Sequence, residues 1–257
     1  MKQLIAVMTL LLAMPVLAEV QTKAVDYEHD GVKLTGHLFW DDTKESQGPG
    51  VMVIHAWWGL NDYAKMRART LAEEGYVAFA ADMYGTGKVT DNPAQAKEWM
   101  LEVTADVEGW QERAALGLEQ LKNSGLVDPQ RLAAIGYCFG GGTILQMAYS
   151  GTQAKVVVGY HASLPAAPES IKGKIGAKVM MFHGHADKFV APEVVTNFKN
   201  KLEEAGADWE MVTFGGDVRH SFTNPDAAMY GIENLKYDAD ADAVSWQRTL
   251  ELFKETL

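Results

Sequence analysis

The chain has 257 residues, 47% of them hydrophobic and 22% charged, the balance of a globular protein rather than a disordered or collagen-like one. Its 34 Asp and Glu against 23 Lys and Arg leave a net charge of −11, which repels phosphate backbones and argues against a nucleic-acid partner. The single cysteine excludes an intrachain disulfide framework and a multi-cysteine zinc site, so that thiol is either a small buried filler or a reactive group.

The chain opens on an export pattern. Lys2 precedes the apolar run from Leu4 to Leu12, and Val16 and Ala18 stand at the −3 and −1 positions of a cut after Ala18. The run is shorter than the roughly 20 residues a spanning helix needs. A retained anchor or a buried helix is the alternative. The expectation is a signal peptide over residues 1–18 and a single mature domain over 19–257. The mature protein is then periplasmic or secreted, off the membrane once the signal is removed, and monomeric.

Two strands, Val25 to Glu28 and Val32 to Trp40, are expected around an Asp30-Gly31 hairpin turn. Val51 to Ile54 is a continuous apolar run of the kind found in strands covered on both faces, and a helix over Asn61 to Glu74 follows, closed by Gly75. Next come a strand over Tyr76 to Ala81, a helix over Ala105 to Lys122 and a strand over Arg131 to Tyr137. The alternation continues with a helix over Phe139 to Tyr149 and strands over Lys155 to Tyr160 and Lys178 to Phe182. A helix over Glu193 to Glu204, a strand over Trp209 to Phe214 and a helix over Ala239 to Glu255 complete it. Such a chain builds a mostly parallel sheet with helices on both faces and an antiparallel N-terminal hairpin, and its functional residues gather at the carboxyl ends of the strands. Gly85 to Asp91 and Ser163 to Gly176 read as loops that could border a cleft.

The strand ending near Ile135 runs through Gly136-Tyr137-Cys138-Phe139-Gly140-Gly141 into a helix. This is the G-x-nucleophile-x-G elbow with Cys in place of the usual Ser. The glycines let backbone segments pass closely at a sharp turn, the helix N-terminus favours negative charge on the sulfur, and the Phe139 N–H would face an acyl oxyanion. On this architecture an acid and then a histidine follow the nucleophile in chain order. Asp187 stands in a loop after an apolar strand, and His220 is the last histidine in the chain, which makes them the candidate orienting acid and base.

These segments, Gly136 to Gly141, His183 to Val190 around Asp187, and Arg219-His220-Ser221-Phe222, together with Ala81-Asp82-Met83-Tyr84, resemble the dienelactone hydrolase family of α/β-hydrolases. The resemblance runs from about Asp30 to the last helix. It implies an α/β-hydrolase fold and hydrolysis of a small ester or lactone without a cofactor, with Cys138 as nucleophile, His220 as base and Asp187 as its partner. In dienelactone-cleaving members a glutamate in the loop after the first buried strand interacts with the cysteine. Here that loop reads His55-Ala56-Trp57-Trp58-Gly59, with Ala56 in the glutamate's place, which makes dienelactone itself a doubtful substrate. The same loop is expected to supply a second oxyanion N–H from Trp57, and Trp57, Trp58 or both form either an apolar pocket wall or core packing.

His183, His185 and Asp187 would suit a metal, but that use of Asp187 would leave His220 without an orienter, so no metal is expected. Gly85-Thr86-Gly87-Lys88 lacks the full phosphate-loop pattern, and Gly140-Gly141-Gly142 lacks a dinucleotide fingerprint. His161, after the strand ending at Tyr160, is either a cleft residue or a satisfied loop histidine, and Ser221 lacks an elbow of its own. Against the thiol ester, lactone or thioester hydrolase stand two rivals: a non-catalytic protein holding a small apolar ligand in the same cleft, and a metal-dependent hydrolase.

Overall fold

The computed structural model describes residues 19–43 and 47–257, and the segment 1–18, expected to be a signal peptide, lies outside them. The hairpin comes first: β1 (Val20–His29) and β2 (Val32–Asp41) pair antiparallel from Val20↔Asp41 to His29↔Val32. Asp30 and Gly31 both take positive φ, 49° and 74°, the twist a two-residue turn needs to match right-handed strands. After the hairpin, β3 (Gly48–Ile54), β4 (Val77–Ala81), β5 (Val127–Tyr137), β6 (Val156–Tyr160), β7 (Lys178–Gly184) and β8 (Trp209–Phe214) are mutually parallel. The sheet order is β1-β2-β4-β3-β5-β6-β7-β8.

Both faces of this sheet are covered, which is why its inner strands read as unbroken apolar runs. Met52 and Ile54 point to one face, with α3 (Val107–Lys122), α4 (Phe139–Ser150) and α5 (Pro192–Ala205), through Leu118, Ile144 and Leu202. Val51 and Val53 point to the other, where α1 (Asp62–Glu73) and α6 (Ala239–Thr256) supply Ala68, Leu71, Leu252 and Phe253. The ends of the helices carry their own signals. Asn61 and Asp238 cap α1 and α6, and Gly206 closes α5 with φ +68°.

One helix has no counterpart among the sequence expectations. α2 (Pro93–Thr104) starts at Asn92, whose side chain accepts from Ala94 N and Gln95 N, and Pro93 holds its first turn. Only Ala96 and Val103 are fully buried in it, so its apolar stripe is thin, and the cap was the readable signal. Strand ends also extend past the apolar runs: β1 begins at Val20, paired with Asp41 beyond the buried residues, and β5 begins at the buried Val127, which pairs with Gly48 across a register shift before the main run from Leu132.

Candidate active site

The elbow follows from packing. β5 ends at Tyr137 and α4 begins at Phe139, which leaves one residue, Cys138, to turn the chain at φ 55° and ψ −113°. Such a conformation costs about 1–3 kcal/mol in a non-glycine residue and persists only where the surroundings over-determine it. Here they do. Cys138 N donates to Tyr160 O at 3.1 Å, while Cys138 O accepts from Gly142 N at 3.2 Å and Ser163 N at 3.0 Å. A Cβ on Gly136 would meet Gly140 O, and one on Gly140 would lie 2.7 Å from His55 O, so both glycines are fixed by close backbone passage. The start of α4 is thereby pressed against the end of β3 and the loop that carries Trp57. Cys138 keeps part of its surface exposed.

Asp187 and His220 sit on the loops after β7 and β8, and the two loops are tied together. Ala186 N donates to Val218 O, and the Cα of Gly184 has no room for a side chain beside Val218. His220 Nδ1 lies 2.7 Å from Asp187 Oδ2, both groups buried. The other carboxylate oxygen accepts from Phe189 N at 2.9 Å and Asn234 Nδ2 at 3.2 Å. Burial pushes the Asp187 carboxyl up, but His220, the Phe189 amide and Asn234 outweigh it and hold it below its usual range. Asn234 was not picked out from sequence, and it is central. Its amide oxygen accepts from Lys188 N, and Lys236 N two residues on donates to His220 O, so one segment clamps acid and base.

His220 Nε2 is buried without a hydrogen-bond partner. Burial disfavours charge on this imidazole, yet the nearby Cys138 sulfur and the Asp187 carboxylate together push it up to about 10. After burial, the sulfur is the largest influence on this ring, although Nε2 closes no hydrogen bond to it. The structure brings Cys138, His220 and Asp187 to one place.

The remaining candidates separate. Trp58 is buried, stacked on Tyr230 with centroids 3.9 Å apart, in a side cluster with Ala96 and Leu235. Trp57 is only partly buried, 4.8 Å from Trp58 by ring centroids, so of the two it is the one available to a substrate. His161 is 1% exposed, with its ring 5.0 Å from His220 and Nε2 2.8 Å from Thr223 Oγ1, so it backs the base rather than lining an open cleft. His183 is buried and His185 exposed. Both oxygens of Asp187 are engaged as above, and among the described residues no group of three His, Cys, Asp or Glu could hold a metal. Ser221 takes φ +59° and is buried, one residue from the base.

Two neighbours had been given no role from the sequence. Tyr84, at the end of the Ala81-Asp82-Met83-Tyr84 segment, packs against His55 and Phe139 with its hydroxyl buried and unpartnered. Burial, with a lesser push from the Cys138 sulfur, keeps that phenol protonated. Phe189 is 53% exposed, yet its ring lies 5.0 Å from His220, at the open side of the base.

A twisted, mostly parallel sheet with a cysteine at the β5–α4 apex and an Asp–His pair on the loops after the next strands defines an α/β-hydrolase. The model of the dienelactone hydrolase family matches residues 36–257, and the chain belongs to that family, as a hydrolase acting on ester bonds. Protein usf of Aquifex pyrophilus is 30% identical over 242 residues, covering 91% of this chain and 98% of that protein. A dienelactone hydrolase-like promiscuous phosphotriesterase from metagenomic libraries has a TM-score of 0.89 at 36% identity, covering 92% of this chain and 98% of its own. The dienelactone hydrolase of Anabaena variabilis, 18% identical, shares the fold at a TM-score of 0.63, covering 93% of this chain and 99% of its own.

Proposed function

We propose that the protein hydrolyses small carboxylic esters, lactones or thioesters through an acyl-cysteine intermediate, with Cys138 as nucleophile, His220 as acid and base, and Asp187 as its orienter. One observation carries the reading: a buried Asp187–His220 pair whose Nε2 is left unpartnered and whose charge the Cys138 sulfur, at a positive-φ strand-to-helix apex, favours. The Cys138 sulfur attacks the carbonyl carbon while His220 Nε2 holds the thiol's former proton. The C=O pair moves to oxygen, where the N–H of Phe139, first residue of α4 and so without an intrahelical partner, and the N–H of Trp57 would hold the charge. On collapse the C–O bond to the leaving group breaks, and His220 gives its proton to the departing alkoxide. Neutral His220 then takes a proton from water as the water oxygen attacks the thioester, the acid departs, and the sulfur–imidazole pair is restored.

The chain is also proposed to be exported, on the strength of the Lys2, Leu4 to Leu12 and Val16-Leu17-Ala18 pattern. The test measures hydrolysis of short-chain p-nitrophenyl esters by the exported protein and by Cys138→Ala under reducing conditions, with intact mass on both. A polypeptide beginning at Glu19, an acyl adduct on the wild type, and a rate at least about 10³-fold lower with no adduct in the variant are expected. Undiminished turnover by Cys138→Ala sinks the mechanism, and a mass that retains residues 1–18 sinks the processing. A phosphotriester substrate in the same assay asks whether the activity in the name of the 36%-identical relative extends to this chain.

A further inference from the structure

Resting on the reading of His220 as the base, we propose that Arg67, Tyr63 and Thr223 order protons along a buried chain that fixes His161 as its Nδ1–H tautomer against His220, which makes His161 a positioning residue for the base. The argument is a count of donors. A guanidinium only donates. Arg67 Nη2 donates to Asp242 Oδ1 and to Thr223 O, the latter at 2.6 Å, and Nε donates to the Tyr63 oxygen at 3.2 Å. The Tyr63 proton is then left for Thr223, whose Oγ1, at 2.7 Å, stands nearer than its carbonyl oxygen, at 3.1 Å and also held by Arg67. With Oγ1 accepting from Tyr63, its own hydrogen goes to its remaining partner, His161 Nε2, at 2.8 Å. A nitrogen that accepts carries no proton, so the single proton of a neutral His161 sits on Nδ1, which is buried and has no hydrogen-bond partner of its own.

Three further observations place that ring in the service of the base. The His161 backbone has φ 38°, a conformation side-chain-bearing residues avoid, and it is held there by His161 N donating to Phe182 O at 2.8 Å. The ring then meets His220 edge-on, 5.0 Å between centroids, with Phe222 and Tyr137 on its other sides. Charged and titratable groups face it from every packed element: His220 and Asp187 from the loops after β8 and β7, Arg67 from α1, Tyr137 from β5. Burial first, and then the charge on His220, keep His161 well below the pKa of an ordinary imidazole, with Asp187 opposing. A neutral neighbour of fixed tautomer leaves the mobile proton to His220 alone. A mobile one would offer it a second, unproductive home.

Nitrogen-15 NMR of histidine-labelled, full-length mature protein reads the tautomer directly and needs no substrate. His161 is expected to show Nδ1 protonated and Nε2 bare. A proton on Nε2 in the wild type means that the chain runs the other way, and overturns the proposal. Thr223→Val keeps the shape and removes the last hydroxyl. His161 should then populate the Nε2–H form, with kcat on a short-chain ester down about tenfold and KM changed less than twofold, and Thr223→Ser should restore both. Tyr63→Phe, which leaves the packing of Thr223 intact, should mix the tautomers in the same direction. Unchanged tautomer and rate in Thr223→Val and Tyr63→Phe refute the chain. Failure of the triad reading shows separately, as undiminished turnover by Cys138→Ala with the His161 tautomer as described.

Discussion

Burial alone would leave the His220 imidazole uncharged, and its rise to about 10 comes from the Cys138 sulfur on one side and Asp187 on the other. Removing the sulfur removes the largest raising influence, so in Cys138→Ala the His220 NMR titration midpoint should fall, while Asp187→Asn should lower it by a different route. The stability consequence has a definite sign. A histidine raised in the folded state above the 6.5 of the unfolded chain contributes stability in full below that pH and loses it as pH climbs through about 10. The melting temperature of the wild type should therefore decline more steeply between pH 7 and 10 than that of Cys138→Ala, and parallel curves would contradict the sulfur's part in raising His220. Phe189 belongs to the same scale. A half-exposed phenyl ring beside the base, on a residue whose amide is spent on Asp187, presents an apolar face to whatever leaves from His220. Phe189→Ala should raise KM for phenyl esters about five- to tenfold, the worth of roughly 1–1.5 kcal/mol of aromatic contact, and leave methyl esters nearly unchanged. Equal effects on both esters would place the ring off the substrate path.

At the level of elements, α2 walls the site from the side of Tyr84 and Trp58: Trp99 lies 6.0 Å from Tyr84, and Ala96 packs in the Trp58 cluster. Its stability leans on its first turn, because few of its side chains are buried. Asn92→Ala removes two side-chain bonds to backbone N–H groups and should cost about 1 kcal/mol, a fall of about 3 °C in melting temperature. Hydrogen exchange in Ala94 to Glu98 should quicken selectively, and uniform quickening along the chain would contradict local fraying. This helix also marks where sequence reading stops. Strands such as Val51 to Ile54 and Lys178 to Phe182 were legible because burial on both faces leaves an unbroken apolar record. α2 has no such record, and its cap at Asn92-Pro93 is a signal of two residues. The positions of Cys138, Asp187 and His220 were legible through the elbow and chain order. Asn234, Thr223 and Arg67 were not, since they reach the site only through contacts across 46 residues or more of chain, as between Asn234 and Lys188, or Arg67 and Thr223.

Across the whole molecule, the tie between α1 and α6 couples stability to the site. Arg67 and Asp242 form an ion pair with side chains 9% and 16% exposed, and Arg67 also holds Thr223 O and Tyr63, with its charge centred 5.4 Å from the Trp246 ring. Burial disfavours the Arg67 charge and also pushes Asp242 up, so neither group is comfortable alone. Asp242→Ala leaves a buried guanidinium with neutral partners only, Thr223 O and the Tyr63 hydroxyl, and should cost about 3–5 kcal/mol, whereas replacing both partners, Arg67→Met with Asp242→Leu, should cost much less. Two melting temperatures and a kcat for each protein separate the roles of the pair. If Arg67 merely staples two helices, the double variant keeps its rate per folded molecule. If Arg67 also orders the Tyr63–Thr223–His161 chain, the double variant melts near the wild type yet turns over more slowly, because the packing is repaired and the donor at the head of the chain is gone. Stability and rate then part company in one protein. A contact that serves packing alone cannot separate them.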